Sequence, residues 1–158
     1  MVVFSDEDRM ANVLLLEDDV AFSEALKSGL AIFGHQVTVV SGAAVALDAL
    51  REGQFDVVVA DIFIRRGDAL TSDGGITLAG RLSNIRAMDG SDPRGALPLI
   101  VISGAVGGEA SSHFFDIVKS LGARKVLAKP FALQDLAQAI AMVLEQGTPK
   151  DGPVQYFS

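Results

Sequence analysis

Phe55-Asp56-Val57-Val58-Val59-Ala60-Asp61 is an almost unbroken apolar run that ends on a single carboxylate. A run this short and this rich in valine reads as a buried strand. Three further runs have the same form. Val13-Leu14-Leu15-Leu16 ends on Glu17, Asp18 and Asp19; Leu99-Ile100-Val101-Ile102 ends on Ser103; Val126-Leu127-Ala128 ends on Lys129 and Pro130. In open parallel sheets the carboxyl ends of the strands form the edge where ligands bind. Acids, a hydroxyl and an ammonium are therefore expected to converge on one site.

Between the strands the apolar period changes from that of a strand to that of a helix. Phe22, Ala25, Leu26, Gly29, Leu30 and Phe33 are helically spaced, and Gly34 offers a stop. His35 to Val40 reads as a short second strand. Ser41 is then placed to cap a helix carrying Val45, Leu47 and Leu50 and closed by Gly53. Arg65 to Gly75 reads as a polar loop, followed by a helix with Ile76, Ala79 and Leu82; Asn84 to Pro98, with its glycines and prolines, reads as irregular. Gly104 to Gly108 reads as a flexible segment before a helix with Phe114, Phe115, Val118 and Leu121 that stops at Gly122. A last helix carries Leu133, Leu136, Ala137, Ile140 and Leu144, with Gly147 as its stop. His35 and His113 read as surface residues.

Five strands alternating with five helices predict a doubly wound α/β fold with a five-stranded parallel sheet. Right-handed crossovers and one reversal of winding give the flavodoxin-like strand order 2-1-3-4-5. The reversal falls between the strands that end in Glu17/Asp18 and in Asp61. The expected division is an N-terminal extension over residues 1–11, one domain over 12–146 and a C-terminal tail over 147–158.

Composition removes several classes of function. The chain has 158 residues, is 49% apolar and carries a net charge of −7, which disfavours direct binding to nucleic-acid phosphates. No apolar run approaches the roughly 20 residues that span a bilayer, and no basic leader precedes the first apolar run, so no membrane association is expected. The absence of cysteine excludes disulfides and thiolate metal sites and suits the reducing cytoplasm.

Three carboxylates at one sheet edge repel, and a hard cation with oxygen ligands, naturally Mg²⁺, would relieve them. Asp61 could then act as a nucleophile towards phosphorus, forming an acyl phosphate. Phosphoryl transfer needs chiefly positioning and charge compensation around the equatorial oxygens. Mg²⁺, the Lys129 ammonium and the Ser103 hydroxyl would each take one of those oxygens.

With Asp56-Val-Val-Val-Ala-Asp61, Val13-Leu-Leu-Leu-Glu-Asp-Asp19, Asp73-Gly74, Pro98-Leu-Ile-Val-Ile-Ser-Gly104, Gly122-Ala123 and Lys129-Pro130-Phe131 in this order, the chain resembles the receiver domains of two-component response regulators. The resemblance runs over about residues 12 to 146. It implies a (βα)5 receiver fold, Asp61 as phosphoacceptor, and Glu17 and Asp18 as Mg²⁺ acids. It further implies a backbone carbonyl of Phe63 on the metal, Ser103 and Lys129 on the phosphoryl group, and a cis Lys129–Pro130 bond. The donor would be a histidine kinase or a histidine phosphotransfer protein, and the signal would pass by contact with an unknown output protein or by phosphorelay. Such a domain is a signalling phosphoacceptor that catalyses only its own phosphorylation and dephosphorylation.

This chain departs from the family pattern in four places. Arg65 stands where members usually carry proline, and Asp73-Gly74 lies about five residues later than usual. The segment from Ser103 to Phe114 is long and glycine-rich. Val126 replaces the aromatic that commonly precedes the lysine by three. No output domain is read after the last helix. Two alternatives stay open: a pseudo-receiver that works unphosphorylated, and an aspartyl-phosphate phosphatase on a similar sheet.

Overall fold

The computed structural model describes residues 10–62, 64–66, 69–71, 74–104 and 116–146. In chain order the elements are β1 (Asn12–Leu16), α1 (Val20–Ile32), β2 (Gln36–Val40), α2 (Ala43–Glu52), β3 (Val57–Asp61), β4 (Ile64–Arg66), β5 (Ala69–Thr71), α3 (Gly75–Met88), α4 (Pro93–Ala96) and β6 (Leu99–Ser103). They continue with helical residues 116–120 (α5), β7 (Ala123–Ala128) and α6 (Leu133–Gln146).

Three of the four apolar runs form the interior strands of one sheet, and the fourth, Val126-Leu127-Ala128, lies in its edge strand β7. The sheet order is β2-β1-β3-β6-β7, with every pairing parallel. Numbered among themselves the five strands run 2-1-3-4-5, as the alternation of elements predicts. Every residue of β3 and of β6 is buried, as a parallel sheet covered on both sides requires.

The two-residue period of the strands divides the core. Leu14, Leu16, Val58, Ala60, Leu99 and Val101 pack under α2 and α3, with Ala46, Leu50, Leu78 and Leu82 among their partners. Val13, Leu15, Val57, Val59, Ile100 and Ile102 pack under α1 and α6, against Leu26, Leu30, Leu136 and Ile140. α1 and α6 meet closely where Gly29 faces Leu133; a methyl at residue 29 would overlap the leucine. α1 ends where Gly34 takes a positive φ of 93°, the conformation a glycine adopts without steric cost.

Four local expectations are corrected. Gly42, not Ser41, is the N-cap of α2. The segment read as a loop from Arg65 contains the antiparallel pair β4–β5, with Ile64 opposite Thr71 and Arg66 opposite Ala69. The stretch read as irregular from Asn84 continues α3 as far as Met88 and then forms α4, capped by the Asp92 carboxylate on the Arg94 N–H at 3.0 Å. His35 is buried, because its ring enters the gap between the starts of β1 and β2, where Nδ1 accepts the Ala11 N–H at 3.1 Å.

Burial lowers the pKa of His35 below its ordinary 6.5. A group whose folded pKa is depressed contributes stability above its unfolded value and loses it as pH falls through the folded one. Protonation also removes the acceptor for Ala11. Denaturant unfolding of the wild type and His35→Gln at about pH 7.5 and about pH 5 should show the wild type losing more stability than the variant on acidification. Parallel losses in the two proteins would contradict a neutral buried imidazole.

No helix among the described residues is long and apolar enough to cross a membrane.

Candidate functional site

Strand register fixes the heights of the polar groups at the sheet edge. Leu16 pairs with Ala60, so Glu17 follows β1 level with Asp61, the last residue of β3. Asp61 pairs with Ile102, which puts Ser103 one step further out; Ser103 pairs with Ala128, and Lys129 follows one step beyond that. The same alternation that turns Val57 and Val59 towards the α1–α6 side turns Asp61 there. All of this lies at the reversal of winding between β1 and β3.

Glu17, Asp61 and Ser103 are buried, and Asp18 is half-buried. Lys129 ties the two buried acids together: its Nζ donates to Asp61 Oδ2 at 2.8 Å and to Glu17 Oε1 at 3.2 Å. The Lys129 N–H donates to the Ser103 carbonyl at 2.7 Å, which joins β7 to β6 beyond their last pair. The Lys129–Pro130 bond is cis. The second oxygen of Glu17 accepts the Asp19 N–H at 3.1 Å, and Asp19 is the N-cap of α1, accepting the Phe22 N–H at 3.0 Å.

Two aromatic rings close one side. Lys129 Nζ lies 4.4 Å from the centroid of Phe22, above the ring. Phe131 meets Phe22 edge-on, with centroids 6.0 Å apart and planes at 72°. On the other side α3 begins against the strand tip. A Cβ on Gly75 would overlap the Asp61 carbonyl oxygen and stand 2.9 Å from its carbon, so only glycine lets the helix start there.

The charges are crowded. Burial, opposed by the Asp19 N–H and reinforced by the Asp61 charge, pushes Glu17 up to about 7. Burial alone would lower Lys129, but the hydrogen bonds and charges of Asp61 and Glu17 outweigh it and the net direction is upward. A buried carboxyl held up to about 7 marks a place short of positive charge. No group of three or more His, Cys, Asp or Glu that could hold a metal ion is found among the described residues. The donors at the edge are all oxygen, and they suit a cation that takes one or two carboxylates and completes its shell with water, the habit of Mg²⁺.

Glu17, Asp61 and Lys129 are thus brought into direct contact, and Ser103 lies one register step away. Phe63, whose carbonyl the resemblance assigns to the metal, lies outside the described residues, as do Asp73 and the segment 105–115. Helical spacing alone reads Phe22 as a core position of α1 and does not single out Gly75. A signal for Phe22 was present, since it sits three residues after the N-cap acid and so in the first turn above the strand tip.

The sequence profile of the response regulator receiver domain family matches residues 13–141. Response regulator MprA of Mycobacterium sp. (strain KMS) is 29% identical over 143 residues, covering 89% of this chain and 54% of the relative. Response regulator protein FleR of Pseudomonas aeruginosa is 31% identical over 154 residues, covering 91% of this chain and 27% of FleR. The chain therefore spans about half the length of the first of these relatives and about a quarter of the second. Among solved structures, a CheY-like response regulator receiver domain protein from Methanospirillum hungatei superposes with a TM-score of 0.67 at 22% identity, covering 90% of this chain and 99% of that one. The receiver domain of a sensor histidine kinase from Pseudomonas aeruginosa superposes with a TM-score of 0.65 at 20% identity, covering 84% of this chain and 95% of that one. Its structure has a magnesium ion coordinated in the active site cleft.

Proposed function

The chain belongs to the response regulator receiver domain family, and from that membership we propose that Asp61 accepts a phosphoryl group from a phosphohistidine donor in the cytoplasm. The donor is a histidine kinase or a histidine phosphotransfer protein. The observation that carries this reading is the Lys129 ammonium bridging Asp61 and Glu17 at the point where the sheet reverses its winding.

In the transfer, a carboxylate oxygen of Asp61 forms a bond to phosphorus as the bond from phosphorus to the donor imidazole nitrogen breaks, the imidazole leaving with the electron pair. Asp61 is pre-aimed, because β3 is buried along its whole length and ends on it. Lys129 holds the carboxylate now and pairs with the phosphoryl oxygens afterwards, and the Ser103 hydroxyl donates to another of those oxygens. Glu17, Asp18 and Asp61, with the Phe63 carbonyl, would hold Mg²⁺, which supplies the positive charge that the crowded anions lack. The domain catalyses only its own phosphorylation and dephosphorylation. The signal leaves by contact with an output protein or by relay of the phosphoryl group.

Intact-mass measurement tests this. Incubation with a small phosphodonor and Mg²⁺ should add one phosphoryl mass, and peptide mapping should put it on Asp61. Addition to a peptide that lacks Asp61, with Asp61 unmodified, would sink the assignment.

The metal assignment has its own test. Saturating Mg²⁺, at about one hundred times Kd, should stabilise the wild type by about 2.7 kcal/mol. The double variant Glu17→Ala, Asp18→Ala should lose most of that gain in a thermal melt. An undiminished shift would place the cation elsewhere.

A further inference from the structure

Lys129 serves two carboxylates now and, on the reading above, a phosphoryl group later, yet its four-carbon stem is flexible and a quarter of the side chain is open to solvent. Its two hydrogen bonds run to the acids, and the third neighbour that the ammonium meets is the ring face of Phe22.

We propose that Phe22 is a positioning residue for Lys129, its ring face binding the ammonium and holding it over Asp61 and Glu17. At 4.4 Å the nitrogen lies well inside the roughly 6 Å reach of a ring's negative face. The attraction is strengthened because the lysine is largely withdrawn from water. The ring does not find this place by chance of packing. Glu17 Oε2 accepts the Asp19 N–H, Asp19 caps the Phe22 N–H, and so the first turn of α1 is fixed by the same carboxylate whose other oxygen accepts from Lys129. Phe131, two residues beyond the lysine, braces the ring edge-on. Glu17 thereby sets the ammonium twice, once directly and once through the cap that places the ring. The consequence for phosphorylation rate rests on Asp61 being the phosphoacceptor; the placement of the lysine does not.

Phe22 and Phe131 also pack against the α1–α6 core, so the test must separate the electrostatics of the ring from its bulk. Mono-, di-, tri- and pentafluorophenylalanine at residue 22 keep the ring's shape while draining its negative face. Phe22→Leu removes the ring, and Phe22→Trp restores a stronger one. Two quantities are read on each protein. The first is the upfield ring-current shift of the Lys129 ε-methylene protons by NMR, in the absence of any phosphodonor. The second is the Mg²⁺-dependent rate of phosphorylation by a small phosphodonor. The wild type should show the ring-current shift, Phe22→Leu should lack it, and Phe22→Trp should recover it. The phosphorylation rate should fall stepwise with fluorination, by about tenfold at pentafluoro, and recover in Phe22→Trp. A wild-type lysine without ring-current shift would overturn the placement. A Phe22→Leu rate equal to wild type, or a slow Phe22→Leu beside a pentafluoro protein at the wild-type rate, would overturn the positioning role and leave packing. If the wild type takes no phosphoryl group at all, the functional reading falls, and the ring-current shift alone decides whether the ring holds the lysine.

Discussion

Asp61→Asn should take up no phosphoryl group under conditions that label the wild type completely. An amide oxygen is a poor nucleophile and the nitrogen carries no usable lone pair, so the barrier rises by far more than the 1.36 kcal/mol that costs a factor of about ten in rate. The fold should survive, within about 1 kcal/mol of wild type. The amide oxygen can still accept from Lys129, and the like charge that helps raise Glu17 is gone. Loss of labelling in a protein that melts normally is therefore the expected pair of results, read by intact mass and by calorimetry. Labelling of Asp61→Asn at the wild-type rate would move the phosphoacceptor to another carboxylate.

Lys129→Met should give the largest loss of stability at the site. It leaves Glu17 and Asp61 buried beside each other with no ammonium between them. Removing one partner of a fully enclosed ion pair costs about 3–5 kcal/mol. The lysine side chain is 25% exposed, so some water already screens the pair and about 2–3 kcal/mol is expected at neutral pH. The sign of the pH dependence follows from Glu17. Its folded pKa is raised to about 7, so the folded state binds the proton more readily than the unfolded chain, and stability increases as pH falls from about 7 towards 4.5. Without Lys129 that rise should steepen, because an influence that lowers Glu17 has gone. Acid or Mg²⁺ should each recover much of the deficit in urea unfolding. A deficit that grows on acidification would show that the acids are not its source.

The parts that could be read in advance are those in which one residue type repeats in a row. Val57 to Val59, Leu14 to Leu16 and Ile100 to Ile102 are too short and too apolar for anything but buried strands, and alternation with helices then limits the topology. The tips follow, since a strand that stops at a carboxylate or a lysine delivers it to the edge. What stayed hidden depends on partners distant in sequence. Strands of three residues such as β4 and β5 leave no period to detect, and two of their residues, Arg65 and Arg66, look like loop. The burial of His35 is decided by the Ala11 N–H, and the use of Phe22 by a lysine at the far end of the sheet. For His35 the neighbours in the chain carry no mark of it; for Phe22 they show only its place in the first turn after the Asp19 cap, not the lysine it faces.

The partition of the core by the sheet gives the chain two separate fields of variation. Residues 13, 15, 57 and 59 answer to α1 and α6, residues 14, 16, 58 and 60 to α2 and α3, and among the described residues the two clusters share no side chain. Changes on opposite sides therefore have no common partner through which to interfere, and their effects should combine by simple addition. Asp61, Lys129 and Phe22 belong to the α1–α6 side. A lineage can thus redraw much of the packing of α2 and α3, provided that Gly75 keeps its place against the Asp61 carbonyl, while Asp61, Lys129 and Phe22 are inherited through the other half.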